Sequence, residues 1–264
     1  MDAGGDHTGR IDVRTQPIAP TSIRWLDRGD SIDTHRHSDH QVVYPASGVL
    51  TITTDRGSWI ATPTSVIWVP SGVAHAHAAH GELELHLVGV PATTATTGLT
   101  EPVLRSVTPL LRELILECTR VAEADTPRRR RLVAVLVDQV RSAPPAHGHL
   151  PAPTSLLLRD VCGILARDPA DSRTLAALGR DVGASERTLS RLFHAELGMT
   201  FPQWRTRLRL HHALELLAEG GSVTSVAHRC GWSSPSAFID VFRRAFGTTP
   251  SGYRRPAARA ALRT

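Results

Sequence analysis

The sequence predicts a multidomain chain of α and β structure. It has a β-barrel or sandwich in the N-terminal half, a helical connector, and an all-α C-terminal half containing two helix-turn-helix units. Three observations predict this. Residues 23–90 form a series of short β-type runs punctuated by turns. Residues 142–154, SAPPAHGHLPAPT, carry four prolines and a glycine between halves of different charge. The C-terminal half repeats itself at an offset of 49 residues.

A chain of 264 residues suits two domains, each able to bury a core. The hydrophobic content of 41% is ordinary for a globular protein. No apolar run approaches the ~18 residues needed to cross a bilayer. The opening MDAGGDHTGR lacks the apolar segment of a secretory leader. A cytoplasmic protein without membrane contacts is therefore expected. Cys118, Cys162 and Cys230 are odd in number and widely spaced, which argues against a disulfide framework or a thiolate cluster.

Charge separates the halves. Residues 1–153 hold 14 arginines against 16 acids, a net −2, while residues 154–264 hold 16 against 9, a net +7. All thirty basic residues are arginine, as GC-rich coding would favour, so the asymmetry carries more meaning than any single guanidinium. A basic half joined to a mildly acidic one predicts a polyanion partner for only one of them.

In the N-terminal half the β-type runs are IRWL, QVVY, GVLTITT, GSWIAT, SVIWV and LELHLVGV. Asp55-Arg56-Gly57 reads as a hairpin turn between two of them. Many short strands with Gly and Pro between them suit a sandwich or barrel. The threonine-rich PATTATTGLTE then leads to two helices, expected over 102–124 and 127–142, where apolar residues recur at three- and four-residue spacing. RRRR at 128–131 reads as a solvated helix start rather than a nucleic-acid patch. The proline-rich stretch that follows is expected to be an extended, semi-rigid linker.

Beyond it everything reads as helical. At the offset of 49, Ser185 matches Ser234, Leu189 matches Phe238, Phe193 matches Phe242 and Leu197 matches Phe246. Gly198, Thr200, Trp204 and Arg205 likewise match Gly247, Thr249, Tyr253 and Arg254. One supersecondary unit is used twice. In the first copy a short helix breaks at Gly183 and a second starts after Ser185, a natural N-cap. In the second copy Gly231 is the break and Pro235 lies in the first turn. Gly179 and Ala227, each four residues before its glycine, let the paired helices cross closely. This is a helix-turn-helix, twice. Between the copies Thr200 and Gln203 form a capping-box pair that opens a long helix ended by Gly220.

The segment VAHRCGW and then FIDVFRRAFGTTPSGYR, Phe238 to Arg254, fits the pattern F-x-x-x-F-R-x-x-F-G-x-[ST]-P-x-x-[YF]-R. In this the chain resembles the AraC/XylS family of bacterial transcription regulators, over about residues 156–255. Gly179, where the family usually has alanine, is a departure that softens the first unit by up to ~1 kcal/mol. The resemblance implies two units fixed on one central helix, with their second helices entering successive major-groove segments about 34 Å apart. The outward face of the first recognition helix offers Arg187, Ser190, Arg191 and His194, and that of the second offers Ser236, Asp240 and Arg243. Arginine can contact guanine bidentately, and Asp240 can accept from a cytosine amine. Arg244, Ser233, Ser234 and the helix N-terminal amides suit phosphates, and Ser185 and Thr188 complete the candidate set. Phe193, Trp204, Phe238, Phe242 and Phe246 are expected to be core.

The remaining signal is histidine. GDSIDTHRHSDHQVVYPASG spells G-x5-H-x-H-x3-Q-x6-G from Gly29 to Gly48, and PSGVAH adds P-x-G-x2-H through His75. The two stretches resemble the paired motifs of the cupin barrels over about residues 23–90. Gln41 stands where those proteins usually have glutamate, Thr64 replaces the second motif's initial glycine and Ala79 its final asparagine. The resemblance implies that His35, His37, Gln41 and His75 converge inside the barrel. Strand alternation puts His35, His37 and Gln41 on one side, as co-ligands require. His77 should also face inward, and His40 and His80 outward. Three imidazoles suit a divalent transition metal, and a metal-free pocket for an organic effector remains the alternative.

The expected division is an N-terminal arm at 1–22, a cupin-like sensor barrel at 23–98, a helical dimerisation connector at 99–142, a linker at 143–154 and a DNA-binding domain at 155–256. The function expected is control of promoter activity in response to a small-molecule or metal effector. The implied partners are double-stranded promoter DNA, a second copy of the chain and RNA polymerase, at the nucleoid. The alternatives are a metal-dependent cupin enzyme fused to a DNA-binding tail, which the missing glutamate disfavours, and an architectural DNA binder, for which a histidine pocket is unnecessary.

Overall fold

The computed structural model describes residues 13–16, 18–93, 98–121 and 126–253. Most of the N-terminal arm, part of the threonine-rich connector, and Arg254 with the residues after it lie outside these.

Nine strands form one folded sheet among the described residues. They are β1 (Arg14–Gln16), β2 (Ser22–Leu26), β3 (Ser31–His37), β4 (His40–Thr54), β5 (Gly57–Ala61), β6 (Ser65–Val69), β7 (His75–Val90), β8 (Val103–Ser106) and β9 (His149–Pro151). Two long strands close it. β4 pairs with β5, β6 and β7, and β7 pairs with β2, β3 and β4. QVVY and GVLTITT are thus one strand, with register shifts around Ser47 where it bends. Gly48 at that bend has φ +73°, and a Cβ there would meet the Glu82 carbonyl oxygen at 2.5 Å. Odd-numbered side chains of β7 from Leu83 to Leu87 fill the interior with Val43, Leu50, Ile52 and Trp59.

Two helices, α1 (Pro109–Arg120) and α2 (Pro127–Ser142), cover the sheet's outer face. Thr108 and Thr126 cap them by accepting from Leu111 N–H and Arg129 N–H, with proline in each first turn. The first helix is shorter than expected. Residues 103–106 instead pair with β6, because their extended run completes a sheet edge that helix formation would leave open. The apolar stripes of these two helices face the barrel, and the described residues do not test dimerisation. Leu111, Leu114, Ile115, Leu136 and Val140 are buried against Val42, Tyr44, Trp68 and Val88 of the barrel.

The proline-rich stretch is extended but is not a free linker. His149–Pro151 pairs with Trp59–Gly57 of β5, and Ile60 N–H donates to the Gly148 carbonyl at 2.8 Å. The Ala146 N–H donates to Leu104, Ser106 N–H to Pro144, and Ala152 N–H to Arg56. The His149 ring lies flat on Trp59, 4.4 Å away and tilted by 8°. Prolines are tolerated because this is an edge strand, where a missing N–H costs nothing on the outer side.

Seven helices follow: α3 (Leu156–Arg167), α4 (Leu175–Asp181), α5 (Glu186–Leu197), α6 (Phe201–Ala218), α7 (Val223–Arg229), α8 (Pro235–Phe246) and α9 (Pro250–Tyr253). Leu158, Leu178, Leu189, Phe193 and Trp204 form one core around α3, α4 and α5. Leu214, Ala227, Phe238 and Phe242 form a second around α7 and α8, and Phe246 packs on Phe242 from a half-buried position. Val49 and Ile60 of the barrel belong to that second core, so the sheet and the central helix α6 share apolar surface.

Candidate nucleic-acid interface and candidate metal centre

Each helix-turn-helix unit is built by local chemistry. In the first, Thr174 caps α4, Gly183 turns the chain with φ +68°, and Ser185 caps α5 by accepting from Thr188 N–H at 3.1 Å. In the second, Ser222 caps α7, Gly231 turns with φ +75°, and Ser234 caps α8 by accepting from Ala237 N–H at 3.2 Å. Gly198 and Gly247 end the two recognition helices in the left-handed conformation. The capping box is complete, with Thr200 and Gln203 each accepting from the other's backbone N–H. Gly179 has a steric role beyond helix softening, since a Cβ there would meet the Ala184 carbonyl oxygen at 2.4 Å.

The outer faces of α5 and α8 are free for a partner. Arg187, Ser190, Arg191 and His194 are exposed and, with half-buried Thr188, line one shallow groove. Ser233, Ser236, Asp240, Arg243 and Arg244 are exposed at the second unit. The Arg244 Nε–H is held by the Asp240 carbonyl at 3.2 Å, leaving the rest of its guanidinium outward. The hydroxyls of Ser185, Thr188 and Ser234 are committed to capping. What they present outward is backbone N–H at a helix start, the positive end of the dipole.

Sequence reasoning missed the groups that fasten the loop between α3 and α4. Arg209 on α6 donates to the carbonyls of Pro169 and Asp171, and Arg173 pairs with Asp171 and Asp181. Nothing in the local spacing distinguishes these arginines from solvated ones.

At the other end of the chain, β3 and β7 bring His35, His37 and His75 together, with His35 paired directly to His75. One nitrogen from each lies within 4.8 Å of the others, and all three residues are buried. The ring centroids of His35 and His37 lie 4.4 and 5.0 Å from that of His75. Each Nδ1 meets a backbone carbonyl two residues away: Asp33 at 2.8 Å, Asp39 at 2.7 Å and Val73 at 2.9 Å. A carbonyl can only accept, so each Nδ1 carries the proton and each Nε2 keeps its lone pair. The Nε2 atoms of His37 and His75 and the Oε1 of Gln41 are buried without a partner. The three histidines, their nitrogens held this close, fit a transition ion of the zinc type. Gln41 is buried on β4 opposite Val69 and Gly89, with its Nε2 donating to the Pro20 carbonyl at 3.5 Å.

Burial also disfavours protonation of His35 and His75. Desolvation pushes His75 down to about 4, partly offset by the Val73 carbonyl, and lowers His35 as well. His77 faces inward as expected, with both ring nitrogens buried and unpartnered and its protonation suppressed by desolvation and by His75. His40 lies outside the cluster against Trp68, where its Nδ1 accepts from Ser71 N–H at 3.0 Å. His80 faces outward too, toward Thr51 and Glu215.

Comparison with known proteins matches both domains. A helix-turn-helix domain family matches residues 178–256, and a cupin domain family matches residues 25–91. The chain is similar to the HTH-type transcriptional regulator NimR of Escherichia coli K12, 33% identical over 83% of this chain and 81% of that one. A putative AraC-like transcription regulator of Streptomyces lividans is 38% identical over 34% of this chain and 30% of its own. Among solved structures, unsaturated fatty acid-bound ToxT from Vibrio cholerae aligns with a TM-score of 0.40 at 12% identity, over 94% of this chain and 99% of that one.

Proposed function

This chain belongs to the AraC-type helix-turn-helix transcription regulators that carry a cupin domain, and from that premise we propose how its residues serve the role. Arg187, Ser190, Arg191 and His194 of α5 and Ser236, Asp240 and Arg243 of α8 read base edges in successive major-groove segments. Arg244, Ser233 and the N-terminal amides after Ser185 and Ser234 hold phosphates. The observation that carries this reading is the pair of capped recognition helices whose polar outer faces are exposed while their aromatic faces are buried. Purified full-length protein should retain a common motif from a random pool of duplex fragments, with two half-sites about one helical turn apart. Retention of unrelated fragments with no shared motif would refute it.

The barrel is proposed as the sensor, with His35, His37 and His75 holding a divalent transition metal and Gln41 adding its carbonyl oxygen. The fixed tautomers and orphaned Nε2 atoms support a metal over a purely organic ligand. Sensing rather than catalysis is proposed for the centre, since the relatives are regulators. A homodimer is proposed through the solvent face of α1 and α2, where Leu110 and Val135 stay exposed. RNA polymerase is the proposed partner at the promoter, and the cytoplasmic nucleoid is the proposed location. No described helix is long and apolar enough to cross a membrane.

A further inference from the structure

The short strand β9 straps the barrel to the first helix-turn-helix unit, and it is fastened on two sides. Toward the barrel it pairs with β5, and the His149 ring stacks on Trp59. Successive residues of a strand face opposite ways. Leu150 accordingly packs on the core of the first unit, which holds Leu158, Phe193 and Trp204. Only Ala152 and Pro153 separate this strand from Thr154, and the Ala152 N–H itself donates to the Arg56 carbonyl at 3.0 Å. The strap therefore has little slack where it reaches α3.

The end of the strap is clasped by the recognition helix itself. One oxygen of Glu196, in the last turn of α5, accepts from Thr154 N–H at 2.7 Å, the Thr154 hydroxyl at 2.8 Å and Ser155 N–H at 3.0 Å. Ser155 is the N-cap of α3 but makes no side-chain capping bond, so a carboxylate from another helix does the capping. Its charge faces the positive end of the α3 dipole. Desolvation raises this carboxyl, yet the hydrogen bonds from Ser155 and Thr154 hold it down to about 2, and it stays ionised throughout the neutral range. One turn into α3, Arg159 Nε–H donates to the Pro153 carbonyl at 3.2 Å and closes the knot. Arg187, Arg191 and His194 of the same helix α5 stay exposed on its outer face.

We propose that Glu196 is a positioning residue for DNA reading: it clasps the barrel's strap to the first recognition helix, so that the barrel sets the orientation of α5 before DNA arrives. This rests on the reading that α5 contacts base edges. A helix already held at its working angle loses less freedom on binding, and that difference appears as affinity. The second unit is tied to the barrel by packing instead, through Val49 and Ile60 in its core. The barrel thus holds one unit by a polar clasp and the other by apolar contact, and only the clasp can be opened by changing a single exposed-edge residue.

The test uses full-length protein and the duplex that wild type selects from a random pool, with Kd read by fluorescence anisotropy. Glu196→Ala should weaken binding about tenfold, and Glu196→Gln, which keeps one acceptor oxygen, about threefold. A second variant inserts Gly-Ser between Ala152 and Pro153, adding about 7 Å of slack while leaving β9 and the clasp intact. It should also cost about tenfold, and the insertion combined with Glu196→Ala should cost no more than about twofold beyond either alone, because both cut one link. A Glu196 that merely caps α3 would cost the same with the slack strap as without it, so losses that multiply would overturn the inference. On a duplex whose first half-site is scrambled (the one whose preference Arg191→Ala relaxes), wild type and Glu196→Ala should bind within about twofold of each other. A full loss persisting on that duplex would overturn it as well. Should Glu196→Ala fail to fold, Glu196→Gln takes its place in the same cycle with the insertion. A selected motif bound equally by wild type and every variant would sink the clasp and leave the DNA reading standing, whereas wild type that selects no motif would sink both.

Discussion

His211 should make the junction between barrel and DNA-binding half acid-labile. It lies on α6, buried, with Nε2 unpartnered, beside the strap strand β9. Desolvation pushes it from 6.5 down to about 4, with Glu215 and the Gly148 carbonyl resisting and His149 and Arg207 adding to the fall. The unfolded or undocked chain protonates this ring near 6.5, so between about 4 and 6.5 the docked state binds fewer protons. Stability therefore rises with pH through that window; it is full above about 6.5 and is lost progressively as pH falls to about 4. A difference of about 2.5 units at ~1.36 kcal/mol each gives ~3 kcal/mol. The assay is urea denaturation of wild type and His211→Leu from pH 7.5 to 4.5, with chelator present to keep the barrel free of metal. His75, also held down to about 4, titrates in both proteins and cancels in the comparison. Wild type should lose ~2.5 kcal/mol more than the variant between pH 7.5 and 4.5. Equal losses would mean that this ring is already hydrated in the folded chain, and the reasoning fails.

Five other outcomes follow from named positions. Leu111→Ala should cost ~2–5 kcal/mol in a thermal melt, because it empties a fully buried site against the barrel. Its neighbour Leu110, 54% exposed, should accept Glu within ~0.5 kcal/mol yet weaken a dimer seen by sedimentation. Arg191→Ala should cost ~1–3 kcal/mol on the cognate site and relax one base pair, while Arg244→Ala should weaken all sequences equally; uniform losses in both would erase the distinction. A fragment from Thr154 should bind DNA with an affinity falling ~10³-fold from 50 to 200 mM salt, if six or more phosphates are contacted. It should nevertheless melt below the intact chain, since it bares the face of α6 that meets Val49 and Ile60. His37→Ala should abolish metal uptake measured by elemental analysis, and His40→Ala, outside the cluster, should leave it intact.

What the sequence made legible was what neighbours in the chain decide. Ser185, Ser234 and the Thr200–Gln203 pair announce helix starts because capping is settled within four residues. The repeat exposed both helix-turn-helix units because a duplicated core leaves duplicated spacings. Pairings across long separations left weaker marks. Residues 149–151 have the composition of an extended linker, and the same composition serves an edge strand; only the β5 backbone decides between them. Residues 103–106 read as helix because an apolar run of that length fits either period until β6 offers its hydrogen bonds. The stripes on α1 and α2 were legible as apolar, but their partner was not, since barrel and second copy would bury them alike.

The same long-range pairings determine how the two halves can communicate. β7 carries His75 and His77 near its start, and then His80 and Gly81 where it meets α6. His80 lies 3.7 Å from Glu215, whose other oxygen is 3.3 Å from His212. Gly81, at φ +75°, comes so close to α6 that a Cβ would meet the Ala218 carbonyl oxygen at 2.7 Å. Arg28 joins the same helix end through Glu219 at 2.8 Å. A strand is stiff along its length, and α6 is the one element between the two helix-turn-helix units. Were the barrel to bind a ligand at His75, a displacement of β7 would meet α6 without slack, because packed interiors shift between discrete arrangements rather than deform smoothly. The strap adds a second tie, with Gly148 bonded to Ile60 on one side and Arg207 of α6 reaching the His149 carbonyl on the other. A free linker would have dissipated such a displacement. A strap paired into the sheet holds α6 against the barrel, and with it the element from which both proposed recognition helices hang.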